Sequence, residues 1–161
     1  MDNISVIIRN RNENEYIGFA IQSCLDHLNK PEIIIEDNNS TDDSLQTVNL
    51  FKDRTKIKVL PINDYTPGKS INLGVKHATN ERVLVLSAHA QITTLNIEML
   101  NQWFRHGHVA VFGNQTPIYK GKRISKRYIW SHFVDSTEEN LYSDIEDRYF
   151  LHNAFCFYNK E

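Results

Sequence analysis

Four continuous apolar segments alternate with segments of helical periodicity along the first half of the chain. The apolar segments are ISVII (Ile4–Ile8), EIIIE (Glu32–Glu36), IKVL (Ile57–Leu60) and RVLVL (Arg82–Leu86). Runs of this kind, rich in β-branched residues, are typical of strands covered on both faces in a parallel sheet. The alternation of strand and helix therefore predicts an α/β fold, a Rossmann-like and mostly parallel sheet flanked by helices on both faces.

The helical segments differ in how clearly they are marked. The clearest apolar repeat at helical spacing comprises Ile17, Ala20, Ile21, Cys24, Leu25 and Leu28. Asn12 followed by Glu15 resembles a capping box, which predicts that this helix begins near Asn12. Further along, Asn96–Phe104 is helix-like and Val109–Gly113 is strand-like. No internal repeat or linker interrupts the pattern, so we expect residues 1–161 to form one domain.

Composition narrows the class of protein. The chain has 161 residues, 40% of them hydrophobic, which is enough to bury a core, and its formal net charge of −2 provides no broad basic field for nucleic acid. No apolar run approaches the roughly 18 residues that span a bilayer. The N-terminus resembles no secretory leader, so we expect a cytoplasmic protein. Basic residues in Tyr119–Arg127 leave open a peripheral contact with the inner membrane face or a phosphorylated lipid acceptor, although a solvated flexible loop is the better explanation.

Polar residues follow three of the predicted strands at the point where each strand ends. Because ligands bind beyond the carboxyl ends of parallel strands, these positions are candidate site residues. No glycine occurs in IIRNRNENE after the first strand, which argues against a dinucleotide-binding turn, and GKS (Gly68–Ser70) lacks the upstream glycine of a P-loop. The polar residues at these ends are Arg9, Asn10, Arg11, Asn12 and Glu13 after the first strand, Asp37, Asn38 and Asn39 after the second, and Ser87 and His89 after the fourth. Of these, the candidate site residues are Asn10, Asn12, Glu13, Asp37, Asn39, Ser87 and His89.

Three segments in order carry a resemblance to a known family. SVIIRNRNENEYIGFAIQSCL, PEIIIEDNNSTDDSL and GKSINLGVKHATNERVLVLSAHA resemble the opening strand and helix, the acidic second strand end and the approach to the metal motif of family-2 nucleotide-sugar glycosyltransferases. The resemblance extends from Ile4 to the end of the chain. It implies a fold of the GT-A type and transfer of a sugar from a nucleotide-sugar donor, with a UDP-sugar as the default.

The resemblance also implies roles for individual residues. Asn12, Glu13 and Asp37 match positions that hold the nucleoside, and Asn10 and Asn39 stand beside them at the same strand ends. Ser87, at the end of the fourth strand, is expected to be a small polar neighbour of the ribose or of a metal-bound water. Lys69 matches a position where relatives often carry a cation near the nucleotide. Simpler explanations stay open, because Glu13 suits the first turn of a helix, Asp37 suits an Asx turn, and Lys69 suits a solvated helix face.

The metal motif departs from the family pattern. Relatives place Asp-x-Asp at the end of the fourth strand, whereas this chain has Ser87 and His89 there. Imidazole is a competent ligand for Mn²⁺ and a poorer one for Mg²⁺, so a divalent cation, if used, is expected to be Mn²⁺. We interpret His89 as a metal ligand or as a direct donor to the diphosphate.

The resemblance implies inverting transfer to a saccharide or lipid-linked acceptor in cell-surface polysaccharide biosynthesis. The general base of relatives follows a segment like FLHNAFCFYNKE (Phe150–Glu161), so we expect it beyond Glu161 and expect this chain to be truncated, with feeble transfer on its own. The alternative function is a catalytically inactive nucleotide-sugar binding module or an inactive fragment.

Overall fold

A six-stranded sheet organises the chain. The computed structural model describes residues 3–123, 137–144, 147–149 and 151–160. Its strands in chain order are β1 (Ile4–Asn10), β2 (Glu32–Asp37), β3 (Ile57–Pro61), β4 (Arg82–Ser87), β5 (Ala110–Phe112), β6 (Ile118–Tyr119), β7 (Lys122–Arg123), β8 (Tyr142–Ser143), β9 (Arg148–Tyr149) and β10 (Phe155–Asn159). The sheet has the order β3-β2-β1-β4-β10-β5, and the remaining strands form two short hairpins.

Strands β1 to β4 are parallel, whereas β10 lies antiparallel between β4 and β5. The helices are α1 (Ile17–His27), α2 (Ser44–Asn49), α3 (Pro67–His77) and α4 (Ile97–Arg105). Helices α1, α2 and α4 contribute to the larger apolar core on one face of the sheet, and α3 packs on the other face. The predicted mostly parallel α/β sheet with helices on both faces is confirmed.

The two faces of β1 carry different polar residues at its carboxyl end. Val6 and Ile8 belong to the core on the α1 side, and Ile7 belongs to the core on the α3 side. Since side chains alternate along a strand, Asn10 lies on the α1 side and Arg9 on the α3 side. Neighbouring residues of one short segment therefore serve opposite faces of the sheet.

The N-cap of helix α1 lies four residues later than predicted. Its N-cap is Tyr16, with no capping side-chain hydrogen bond, so the prediction of a capping box at Asn12 and Glu15 is wrong. Asn12 has a left-handed backbone (φ 56°), and its side-chain oxygen accepts a hydrogen bond from the backbone N–H of Thr41 at 2.7 Å. The loop after β2 thus takes the oxygen that would otherwise cap the helix.

A buried carboxylate on β2, that of Glu32, links neighbouring segments at the amino-terminal edge of the sheet. Glu32 accepts hydrogen bonds from the hydroxyl of Ser5 and from the backbone and hydroxyl of Thr79, and it pairs with Lys56 at 2.6 Å. Burial alone raises the pKa of Glu32, but Lys56, Thr79 and Ser5 outweigh it and lower the pKa to about 2. This cluster lies at the edge opposite the predicted ligand site.

Two further points concern possible membrane contact. No helix within the described ranges is both long and apolar enough to cross a bilayer. Of the basic segment Tyr119–Arg127, the structure describes the part up to Arg123, and Lys126 and Arg127 lie outside the described residues.

Candidate functional site

A cleft of about 240 Å³ opens at the carboxyl edge of the sheet, where β1 and β4 run side by side. The crossover after β1 covers one face of the sheet and the crossover before β4 covers the other, so this is the point where the strand order reverses. Open α/β sheets bind ligands at such a point. The cleft is lined by Arg9, Asn10, Arg11, Glu13, Asn38, Tyr65, Ser87, Ala88 and His89.

Four of the eight residues predicted from the sequence line this cleft. They are Asn10 at the end of β1, Glu13 in the loop after it, Ser87 at the end of β4 and His89 just beyond it. Loop contacts hold the β4 end in place, because Ser87 N–H donates to the carbonyl of Ala154 and Ala90 N–H donates to the carbonyl of Ser87. The sequence therefore predicted both strand ends that form the cleft.

Asp37 lies directly behind the cleft wall and is buried. Its carboxylate accepts hydrogen bonds from the amide of Asn10 at 2.8 Å, from the hydroxyl of Ser40 at 2.6 Å and from the backbone N–H of Ser40 at 3.1 Å. An ionised carboxylate accepts hydrogen bonds only, and these donors use much of its capacity. In this structure, Asp37 therefore joins β1 to the turn after β2.

Asn12, Asn39 and Lys69 stand outside the cleft lining. Asn12 binds the loop after β2, where its backbone N–H also donates to the hydroxyl of Ser40 at 3.0 Å. Asn39 is exposed, with a left-handed backbone (φ 53°). Lys69, in the first turn of α3, pairs with Asp64, and both side chains are more than half exposed. The simpler explanation for Lys69, a solvated lysine, agrees with this position.

Glu13 and His89 meet across the cleft mouth. Glu13 Oε1 lies 3.2 Å from His89 Nδ1, although the two residues are far apart in sequence. Glu13 is held by its backbone, since its carbonyl accepts the N–H groups of Tyr16 and Ile17 at the start of α1. With Nδ1 turned towards the carboxylate, Nε2 is the ring nitrogen left for a ligand.

Sequence analysis did not select five lining residues, Arg9, Arg11, Asn38, Tyr65 and Ala88. Arg9 and Arg11 carried a signal, since they are cations at the end of an otherwise apolar strand. Tyr65 carried none, because it precedes α3 and only the crossover over the sheet brings it to the cleft. The hydroxyl of Tyr65 accepts a hydrogen bond from Arg9 Nη1 at 3.5 Å.

The cleft has little preformed capacity for a metal ion. Among the residues that the structure describes, no three His, Cys, Asp or Glu side chains are grouped so that they could hold one. His89 is the residue in the cleft whose free nitrogen suits a transition metal. An ion bound there would need most of its ligands from elsewhere.

Comparison with known proteins bears on the fold and the family. The solved structure of S. aureus TarS 1-349 in complex with UDP is similar with a TM-score of 0.71 and 22% identity, over 98% of this chain and 47% of that chain. The mannosyltransferase PcManGT from Pyrobaculum calidifontis, solved in complex with GDP-Man and Mn²⁺, matches with a TM-score of 0.52 and 19% identity, over 57% of this chain and 29% of that one. Both likenesses support the GT-A-like fold.

Sequence comparison is more specific. A GalNAc(5)-diNAcBac-PP-undecaprenol beta-1,3-glucosyltransferase of Campylobacter jejuni is 33% identical over 132 residues, which is 80% of this chain and 42% of the relative. This chain thus spans less than half the length of that relative. The family model for glycosyl transferase family 2 matches residues 5–161. Since this match extends over nearly the whole chain, including both strand ends that form the cleft, the chain belongs to glycosyl transferase family 2.

Proposed function

We propose that the cleft between β1 and β4 binds the nucleotide part of a nucleotide-sugar, a UDP-sugar in the first instance. The sugar is then transferred with inversion to a saccharide or lipid-linked acceptor in cell-surface polysaccharide biosynthesis. The observation that carries the proposal is the polar cleft at the strand-order reversal of a family-2 glycosyltransferase chain.

Similar proteins support the choice of donor and acceptor. TarS is solved with UDP and with UDP-GlcNAc, and the Campylobacter relative is named for an acceptor on undecaprenol diphosphate. The donor is therefore tested first as a uridine nucleotide, and the acceptor as a lipid-linked saccharide.

The predicted nucleotide-binding residues take two kinds of role in this proposal. Asn10, Glu13 and Ser87 line the cleft and contact the donor. Asp37, Asn12 and Asn39 shape the wall behind it through the turn that Asn12 and Asp37 hold. Lys69 reaches the donor after its ion pair with Asp64 breaks. That pair is exposed, and exposed ion pairs contribute about 0–1 kcal/mol.

Glu13 and His89 are arranged in a way that would suit binding of Mn²⁺. The contact between Glu13 and Nδ1 of His89 is the arrangement that usually orients a metal-binding imidazole, and it leaves Nε2 as the ligand atom. The donor diphosphate and water would complete the coordination, so we expect the cation to bind together with the nucleotide. When bound, it would offset the negative charge of the diphosphate.

The chemical step needs a base that removes the proton of the acceptor hydroxyl while the hydroxyl attacks the anomeric carbon. In this proposal the residues of the cleft bind and orient the donor, and none of them is assigned as that base.

A thermal-shift panel tests the donor site. UDP, GDP and ADP are added to the protein with Mn²⁺ or with EDTA, and His89→Ala is compared with His106→Ala, a histidine outside the cleft. We expect UDP to raise Tm most, more with Mn²⁺ than with EDTA, and we expect the Mn²⁺ increment to disappear in His89→Ala alone.

Two results would argue for different conclusions. Equal shifts with all three nucleotides, or none, would contradict a uridine-nucleotide site. Binding of UDP by a full-length family protein carrying this segment, with no transfer to any lipid-linked acceptor, would favour the inactive binding module.

A further inference from the structure

Arg9 lies at the centre of the carboxyl edge of the sheet. It is the next-to-last residue of β1, and its partners across the sheet are Glu36 on β2 and Ser87 on β4. Both neighbours precede loops that open onto the same edge, and Arg9 itself lines the cleft. The backbone of Arg9 is therefore held in a strand, whereas the other cleft arginine, Arg11, is exposed on the following loop.

Among the described residues, no acid pairs directly with Arg9. Within the described part of the chain it forms no salt bridge, and its side-chain hydrogen bonding consists of the 3.5 Å contact from Nη1 to the hydroxyl of Tyr65. Its Nε is buried without a hydrogen-bond partner there. A guanidinium carries five N–H donors, so most of its binding capacity remains available.

The acid opposite Arg9 on β2 forms no salt bridge with it among the described residues. Glu36 is 1% exposed and accepts a hydrogen bond from the hydroxyl of Ser70 on α3. Burial raises the pKa of Glu36, against the lowering by Ser70, the backbone of Gly74 and the charge of Arg9. The shift favours the neutral acid, and Ser87 on the other side carries a hydroxyl.

The surrounding charges favour an anionic ligand. Arg9 and Arg11 bring two positive charges to the cleft, whereas Glu13 brings one negative charge and faces His89. A guanidinium matches phosphate oxygens with two parallel N–H donors and is easily stripped of water.

We propose that Arg9 binds the diphosphate of the nucleotide-sugar, as a cation built into the floor of the cleft. This role rests on the proposed function, and it deepens that function by assigning the phosphate contact to the protein itself. Diphosphate binding should then persist without a divalent cation.

Isothermal titration in EDTA tests the role of Arg9. The ligands are uridine, UDP and inorganic pyrophosphate, and the proteins are wild type, Arg9→Gln, Arg9→Lys and Arg105→Gln. Arg105 is exposed in the last turn of α4 and serves as the matched loss of charge outside the cleft. Melting curves establish that each variant is folded.

The expected result separates phosphate from nucleoside. Arg9→Gln should bind UDP and pyrophosphate about 10- to 100-fold more weakly with uridine unchanged, as expected for hydrogen bonds to a charged group. Arg9→Lys keeps the positive charge but loses the paired N–H donors of the guanidinium, so its loss of affinity for UDP and pyrophosphate should be intermediate. If Arg9→Gln does not fold, the titrations of Arg9→Lys test the proposal. Arg105→Gln should behave as wild type.

Other outcomes overturn one proposal or the other. Unchanged UDP binding in Arg9→Gln, or an equal loss for uridine and UDP, would overturn the role of Arg9 and leave the donor site standing. Pyrophosphate binding that depends on Arg9, with no nucleoside diphosphate bound more tightly than pyrophosphate, would overturn the donor site and uphold Arg9. A wild-type protein that binds neither UDP nor pyrophosphate would overturn both.

Discussion

The side-chain amide of Asn10 donates a hydrogen bond of 2.8 Å to the carboxylate of Asp37, and the two residues are direct partners across β1 and β2. Both side chains are buried at the carboxyl edge of the sheet, where Asn10 lines the cleft and Asp37 lies immediately behind it. The same amide also donates to the hydroxyls of Ser40 and Ser44 at 3.1 Å. One asparagine thus links β1, the turn after β2 and the start of α2.

Asn10→Asp should be strongly destabilising. It replaces the donor with a second carboxylate beside Asp37, and leaving a buried charge uncompensated costs about 3–5 kcal/mol. Asn10→Ala should cost about 1–3 kcal/mol, because it removes the donor without adding charge. Urea unfolding at neutral pH measures both. Equal stabilities of the two variants would show that Asp37 is not held as an anion.

Glu13→Ala should weaken the effect of Mn²⁺ on UDP binding by about 10-fold or more, because the imidazole of His89 loses the partner that orients it. Glu13→Gln retains an oxygen that can accept from Nδ1 and should lose less. UDP titrations with Mn²⁺ and with EDTA measure the difference, and ¹⁵N NMR of the His89 ring reports the tautomer. A smaller loss of UDP affinity in EDTA would report the direct contact of Glu13 with the donor, and an unchanged effect of Mn²⁺ in Glu13→Ala would contradict its role in orienting His89.

Glu32→Gln should destabilise the protein at neutral pH by about 1–3 kcal/mol, through loss of the hydrogen bonds to an ionised carboxylate. The folded-state pKa of Glu32, about 2, lies below the ordinary 4.5. Its stabilising contribution is therefore complete above about pH 4.5 and is lost as the pH falls towards 2.

Unfolding free energies between pH 2 and pH 7 check this dependence. Glu32→Gln should show a flatter acid limb than wild type. A wild-type acid limb as shallow as that of the variant would contradict the lowered pKa.

Glu36→Gln should change stability in the opposite direction. Burial raises the pKa of Glu36, so the folded state favours its neutral form, and its contribution is lost as the pH rises above the ordinary 4.5 and through the raised value. Glutamine can still accept the hydrogen bond from Ser70 and cannot ionise. We expect a gain of up to about 1 kcal/mol at pH 8 and little change at pH 4.

Glu32→Gln is the matched control for this comparison, because both residues are buried glutamates on β2. The two variants should differ most at high pH. A destabilised Glu36→Gln at pH 8 would show that Glu36 acts as an anion in the folded protein.

Strand ends were the best predicted part of the site. A buried strand is visible in a continuous apolar run, and the polar residues that follow it must lie at the sheet edge, which is why Asn10, Glu13, Ser87 and His89 could be placed at the edge that forms the cleft. The capping-box prediction at Asn12 was wrong because it considered only contacts close in sequence. The oxygen of Asn12 binds Thr41, whose position depends on the packing of a different crossover.

The sequence by itself determined the class of fold, the family and the two strand ends that form the cleft, because these follow from local periodicity and from motifs in linear order. Only the tertiary structure decided which polar side chains face the cleft. Period-two alternation and the pairing of distant strands turn Asp37 towards Asn10, set Glu13 against His89, and place Arg9 between Glu36 and Ser87. Those contacts join residues from separate crossovers, so their chemistry depends on packing that no single segment encodes.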